Sequence, residues 1–357
     1  MNPDINQIQN DIQPGRAAPD RPYTAQCPPE GYGYHPGYYM QQPVGPSRAD
    51  QIYRFLRKHA ISVGIAFIVY FILQEAIAFL LHGVGLYEVY DSNTAFQNLF
   101  NGLVFSVFAM GVPFLICGLT AEGDRSLKNL PLQFPQGKLK TASLIFAGLA
   151  ICVLANYAAL FAGTFLENIG IHEVEIDENI SETYFDAFTN ILGTAFVPAL
   201  VEEFVFRGVI MQPLLKGGRH FAVISTAVVF AFAHARPTSI VFAFIVGLAI
   251  GYAVVLSGSM WTGIIIHFVN NLYACVVGDV FGNFPDLSET PYILFQAVLV
   301  VLGLSGAVYL AATRSISLEK ERVDIGVGRS IRAFWLAVPM ILTVIGFLFY
   351  VTLAVKL

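Results

Sequence analysis

Two adjacent carboxylates and a guanidinium stand inside an apolar run, Pro198-Ala-Leu-Val-Glu202-Glu203-Phe-Val-Phe-Arg207. A charge at the centre of a bilayer helix costs about 2.5–3.5 kcal/mol on insertion scales, so each of the three must be paired, hydrated or used. Helical steps of about 100° per residue put Arg207 over Glu203, one turn on, and turn Glu202 well away from it. Glu before Arg at i,i+4 is also the favourable order for a helical ion pair. Glu203 therefore has a partner within its own helix, and Glu202 does not. A carboxylate without a partner is free to take a proton from water and give it back. Pro198, one turn before Glu202, has no N–H to offer the Thr194 carbonyl and favours a kink there. A carbonyl freed at membrane depth lines a cavity or meets another polar group.

Two histidines and an asparagine join this carboxylate. His234 lies in Phe230-Ala-Phe-Ala-His234, and His267 in His267-Phe-Val-Asn270-Asn271. Depth follows from counting at about 1.5 Å per residue: Glu202 is roughly 21 Å from Lys216, and His234 roughly 21 Å from His220. His267 and Asn271 are roughly 13 and 20 Å beyond Gly258. Three apolar segments thus carry polar groups to a similar level. A carboxylate beside an imidazole can hold and deprotonate a water. His267 and Asn271, one turn apart on one face, can both donate to one oxygen, as an oxyanion growing on a peptide carbonyl requires. Phe230 shares a face with His234 and reads as packing that fixes the imidazole. Any one of these side chains alone reads as structural: an interhelical hydrogen bond, or a helix-internal ion pair. Their convergence points to hydrolysis.

The elements that position them are membrane helices. Of 357 residues, 55% are hydrophobic and only 13% charged, about half the charge of a soluble domain. The fold class expected is all-α, a polytopic helical bundle of eight to nine spans. Apolar runs at 60–82, 98–119, 141–166, 185–215, 220–235, 238–256, 259–278, 291–312 and 333–355 supply them, with 220–235 and 238–256 the shortest. Basic loops (Arg54 to Lys58, Arg125 to Lys140, Lys216 to Arg219, Arg314 to Arg332) alternate with acidic or neutral ones (Glu88 and Asp91, Glu173 to Glu182, Asp279 to Glu289). The positive-inside rule then puts the N-terminal tail in the cytoplasm of a multi-pass cell-membrane protein. Residues 1–52, rich in Pro, Gly, Gln and Tyr, read as a disordered tail whose partner is unknown, and 53–357 as the transmembrane domain. Basic residues gather on no single face, which argues against nucleic acid as a partner. Cys27, Cys117, Cys152 and Cys275 form no CxxC pair and read as free cysteines. Gln74 and Glu75 interrupt the first span near its outer half. Water or a neighbouring helix reaches them, or they belong to a second polar site. Gly247 and Gly251 form a small-residue stripe for close helix approach.

Glu-Glu-x-x-x-Arg, Phe-x-x-x-His and His-x-x-x-Asn, in that order on successive spans, resemble the motifs of the CAAX-processing and bacteriocin-processing (CPBP) family of intramembrane proteases. That family includes the type II CAAX prenyl endopeptidases, and the resemblance covers about 185–275. It implies a membrane-embedded endopeptidase acting on a membrane-associated, prenylated or otherwise hydrophobic peptide or protein. By motif, Glu202 would be the catalytic carboxylate, His234 its partner in activating water, and Glu203 with Arg207 the supporting pair. His267 and Asn271 would hold the oxyanion. The family is labelled metalloprotease, although a metal-free glutamate mechanism is also argued for it. A Zn²⁺ held by Glu202, His234 and His267 is the metal version of the site. Two other functions use the same residues: a bacteriocin self-immunity or scaffold protein of this fold that does not cut, and an ion-coupled carrier with midplane carboxylates and histidines. The carrier reading lacks an internal repeat.

Overall fold

The computed structural model describes residues 45–121, 127–174, 180–316 and 323–356. Most of the segment read as a tail, with Cys27, lies outside the described residues. The described chain is helical apart from one two-residue strand pair.

Helix α1 (Arg48–Gly83) begins at Ser47, whose hydroxyl accepts from the Asp50 amide. At about 1.5 Å per residue its 36 residues exceed the thickness of a bilayer's hydrocarbon core, and Arg54, Arg57 and Lys58 lie in its leading turns. A short helix α2 (Tyr87–Ser92) leads into α3 (Thr94–Leu119), whose turns widen to π geometry over Asn101–Gly111. Helix α4 is Lys138–Asn168. Helix α5 runs unbroken over 184–214, opened by a capping box between Thr183 and Asp186. It widens into π turns twice, at Ile191–Phe196 just before Pro198 and at Glu203–Met211. A π turn moves the carbonyl ladder on by one residue, and such bulges gather at functional sites. Helices α6 (Arg219–Phe232) and α7 (Pro237–Ser257) form an antiparallel hairpin, with Gly247 against Ala227 and Gly251 against Val223. The small-residue stripe therefore packs helix on helix. Gly258, at φ +68°, ends α7, and Ser259 caps α8 (Met260–Asn283). Helix α9 is Thr290–Ala312, and α10 (Val327–Trp335) and α11 (Val338–Leu353) follow.

Six of these helices are long and apolar enough to cross a membrane, or seven if α10 and α11 count as one bent span. The protein is a multi-pass membrane protein, and the described residues hold fewer full spans than the eight to nine expected. Three stretches account for the difference. Helix α5 is continuous, but Glu202, Glu203 and Arg207 interrupt its apolar character. The stretch 220–235 yields only the 14 residues of α6. That is about 21 Å, against a hydrocarbon core of about 30 Å. The stretch 333–355 is split by a 73° bend, with Pro339 in the first turn of α11 rather than inside a kinked helix.

The core lies where α1, α3, α5, α6 and α11 meet. Phe67 meets Phe114 edge-on at 4.7 Å and Phe347 at 5.3 Å, while Phe206 meets Phe230 at 4.9 Å. Within lipid such packing stabilises through dispersion and close fit rather than by removing surface from water. Polar pairs gather near the helix ends. Asp50 with Arg329, Arg48 with Asp324, and Ser330 with the Gly217 carbonyl pair at the end where α1 starts. At the other end strand β1 (His172–Glu173) pairs antiparallel with β2 (Val355–Lys356), and Asp279 accepts from Asn190 and the Ser181 amide.

Candidate active site

Helix α5 delivers two carboxylates in opposite circumstances. Glu203 is 0% exposed and ion-paired with Arg207, itself 1% exposed, at 2.8 Å. The guanidinium also lies 4.6 Å over the Phe230 ring, which gives it a second, aromatic support. Glu202, on the other side of the helix, is 19% exposed, and its Oε2 has no hydrogen-bond partner among the described residues. The division expected from helical angles is what the fold contains.

Helix α8 brings His267 between the two. Its Nδ1 lies 2.9 Å from Glu203 Oε1, so Nδ1 carries a hydrogen and donates it to the carboxylate. Nε2 then lies 3.8 Å from Glu202 Oε2, beyond hydrogen-bonding distance. Gly263, one turn earlier on α8, makes room for this arrangement: a Cβ there would lie 2.7 Å from Glu203 Oε2.

His234 sits on the turn between α6 and α7. Ala235 holds φ +57° there, and the Arg236 amide donates to the His234 carbonyl at 2.6 Å. The His234 Nδ1 donates to the Phe230 carbonyl at 2.9 Å, and the Phe230 ring stands edge-on to the imidazole at 4.7 Å. Phe230 thus fixes the ring, as expected, and Nε2 is left with its lone pair. The turn is held from across the bundle by Glu173. Its carboxylate accepts from the Thr238 amide (2.6 Å), the Thr238 hydroxyl (2.9 Å) and Arg236 Nε (3.2 Å), and Arg236 Nη2 lies 3.1 Å away.

Asn271 resolves the question raised by Pro198. The Asn271 amide nitrogen donates to the Thr194 carbonyl, the acceptor Pro198 leaves free, at 3.5 Å. Asn270 Nδ2 donates in turn to Asn271 Oδ1 at 3.2 Å. The longer of these contacts is the one an incoming oxyanion would have to displace.

Glu202, His234, His267 and Asn271 all line one cavity of ≈ 280 Å³, together with Phe230 and Thr194. Four side chains from three separate stretches of the chain thus share one polar space within the bundle. The metal set is different. Among the described residues no three His, Cys, Asp or Glu side chains are gathered closely enough to hold a metal ion, so Glu202, His234 and His267 do not form a ligand set as placed. Three participants escape sequence reasoning. Asn270 orients Asn271. Ser106 on α3 lines the same cavity. Tyr70 on α1 lines an adjoining one with Glu202 and His234. Only Tyr70 had a signal, since it stands one turn before the intramembrane Gln74.

Residues 184–273, about a quarter of the chain, match the family model for Type II CAAX prenyl endopeptidase Rce1-like proteins. The matched stretch holds every motif residue from Glu202 to Asn271. The resemblance to the CPBP family, carried by the ordered motifs, is thereby shown for the stretch that forms the site. No curated protein and no solved structure matches the chain.

Proposed function

We propose that this membrane protein is an intramembrane endopeptidase that hydrolyses a peptide bond in a membrane-associated, hydrophobic or lipidated substrate. The observation that carries the reading is the shared cavity of Glu202, His234, His267 and Asn271. Glu202 takes a proton from a water held against His234 Nε2, and the resulting hydroxide attacks the scissile carbonyl. The carbonyl oxygen becomes an oxyanion, which Asn271 Nδ2 and the His267 ring stabilise. Glu202 then passes its proton to the departing amine. Glu203 keeps His267 oriented through Nδ1, and Arg207, 2.8 Å from Glu203, holds that carboxylate in place. Every atom in this scheme comes from the chain, the water or the peptide, so no metal is drawn into it. The positive-inside pattern supports a cytoplasmic tail and access from that side.

The test uses purified, folded protein in detergent or vesicles with a panel of membrane-associated peptides. Glu202→Ala, His234→Ala and His267→Ala are each expected to abolish cleavage while the protein still inserts and elutes as one species. Retained cleavage in Glu202→Ala would remove its assigned role. Cleavage lost to a chelator and restored by Zn²⁺ would replace the metal-free scheme with one in which Glu202, His234 and His267 close around the ion. Substrate protection or assembly that survives both Glu202→Ala and His234→Ala would indicate binding without cutting. Gradient-driven uptake that needs Glu202 and yields no peptide product would indicate a carrier.

A further inference from the structure

The space around Glu202 does not end at the site. A second cavity of ≈ 150 Å³ shares Ser106, Glu202 and His234 with the first and adds Tyr70, Phe105 and Ala233. A third, of ≈ 230 Å³, shares Tyr70, Phe105 and Ala233 with the second and reaches Gln74 and Glu75. Neighbouring cavities thus share walls from the proposed cleavage point, by way of Tyr70, to the exposed Glu75, and together they make up an arm beside the site. Small residues at Ala78, Ala233 and Ala235 keep it open.

The far end of this arm has a definite chemistry. Glu75 Oε1 accepts from the Tyr350 hydroxyl at 2.6 Å, and among the described residues no cation pairs with its carboxylate. Around it stand Phe71, Phe232, Phe347 and Tyr350, with Phe71 5.1 Å from Phe347 and 5.5 Å from Tyr350. A carboxylate backed by aromatic rings attracts a cation twice, through its charge and through the negative faces of the rings. The same group within an apolar helix is costly until a cation arrives. Tyr70 and Glu75 are five residues apart on α1, about 7.5 Å along its axis. A peptide in extended form covers that in about two residues.

We propose that this arm is a specificity subsite for a cationic group of the peptide cut at Glu202, either at the scissile nitrogen once it is freed or within about three residues of the bond. The inference rests on the protease reading above and names a feature of its substrate. Two sources share the chemistry: a lysine or arginine side chain, present before cleavage, or the α-ammonium created on the product by cleavage.

The experiment uses full-length protein and hydrophobic peptides that carry lysine or its neutral isostere norleucine at each position flanking the bond. At one position lysine should raise kcat/KM about tenfold, the worth of one partly desolvated cation contact. Glu75→Gln should bring that ratio close to one, and Glu75→Lys should transfer the preference to glutamate at the same position. A gain of that kind is possible only in a folded variant. If instead the amine-side product inhibits wild type and its N-acetyl form does not, with Glu75→Gln abolishing the difference, the α-ammonium is the occupant. Equal rates for lysine and norleucine at every position, with no inhibition specific to the free amine, would overturn the proposal. Binding of the same fluorescent peptides is measured in parallel. A lysine preference that depends on Glu75 in a protein that cuts nothing would uphold the subsite and sink the protease reading. Cleavage without any such preference would do the reverse.

Discussion

Removing the Arg207 guanidinium while Glu203 stays in place should damage the fold more than removing both charges together. Glu203 and Arg207 are almost wholly enclosed and 2.8 Å apart, and Glu203 also receives the His267 Nδ1 hydrogen at 2.9 Å. Arg207→Met leaves a buried carboxylate with only the imidazole opposite it, and Glu203→Gln leaves a buried guanidinium over Phe230. Each single change should cost about 3–5 kcal/mol, the usual penalty for an uncompensated buried charge. In the double variant both charges are gone, and the amide oxygen introduced by Glu203→Gln still accepts from His267. Its cost should fall to about 1–2 kcal/mol, the weakening of one hydrogen bond to a charged group. The double-mutant cycle should then close with a coupling energy of about 4 kcal/mol or more, the difference between the summed single costs and that of the double. Equilibrium unfolding in mixed micelles, followed by tryptophan fluorescence and helical circular dichroism, measures all four corners. Additive losses, with the double variant as unstable as the sum of the singles, would refute the claim that this pair is one buried unit. Cleavage is expected to fall in all three variants, because each alters what holds His267.

Two further substitutions test how the site is held. Gly263→Ala adds a Cβ 2.7 Å from Glu203 Oε2 and should cost about 1–3 kcal/mol in the same unfolding assay, with kcat reduced through the displaced His267 contact. Glu173→Gln removes the charge that pairs with Arg236 beside the turn bearing His234. It should lower kcat with little change in KM, whereas Glu173→Asp should restore part of the rate.

The parts of the site governed by one helix were readable in the sequence. A 100° step separates Glu202 from Glu203, and the missing N–H of Pro198 frees the Thr194 carbonyl. Both consequences appear, down to the side chain that answers that carbonyl, Asn271. Contacts between helices were not readable. His267 and Asn271 lie on one face and invite a shared role, but nothing within α8 reveals that His267 Nδ1 is committed to a carboxylate 64 residues earlier. Apolar runs located six helices well, yet hydropathy is blind to bends. The 73° break before α11 occurs inside the apolar stretch 333–355, where local composition hardly changes. Tyr70 was overlooked for a related reason: its ring counts as apolar surface, and only the packed helices make it part of a cavity wall.

The central claim is that Glu202 activates a water at the shared cavity, and isotope labelling reaches it most directly. Cleavage of a peptide in ¹⁸O-enriched water, with products read by mass spectrometry, should place one ¹⁸O in the new carboxylate for wild type. Folded Glu202→Gln should release that labelled product about 10²–10⁴-fold more slowly. Equal rates of labelled product from the two proteins would contradict the account.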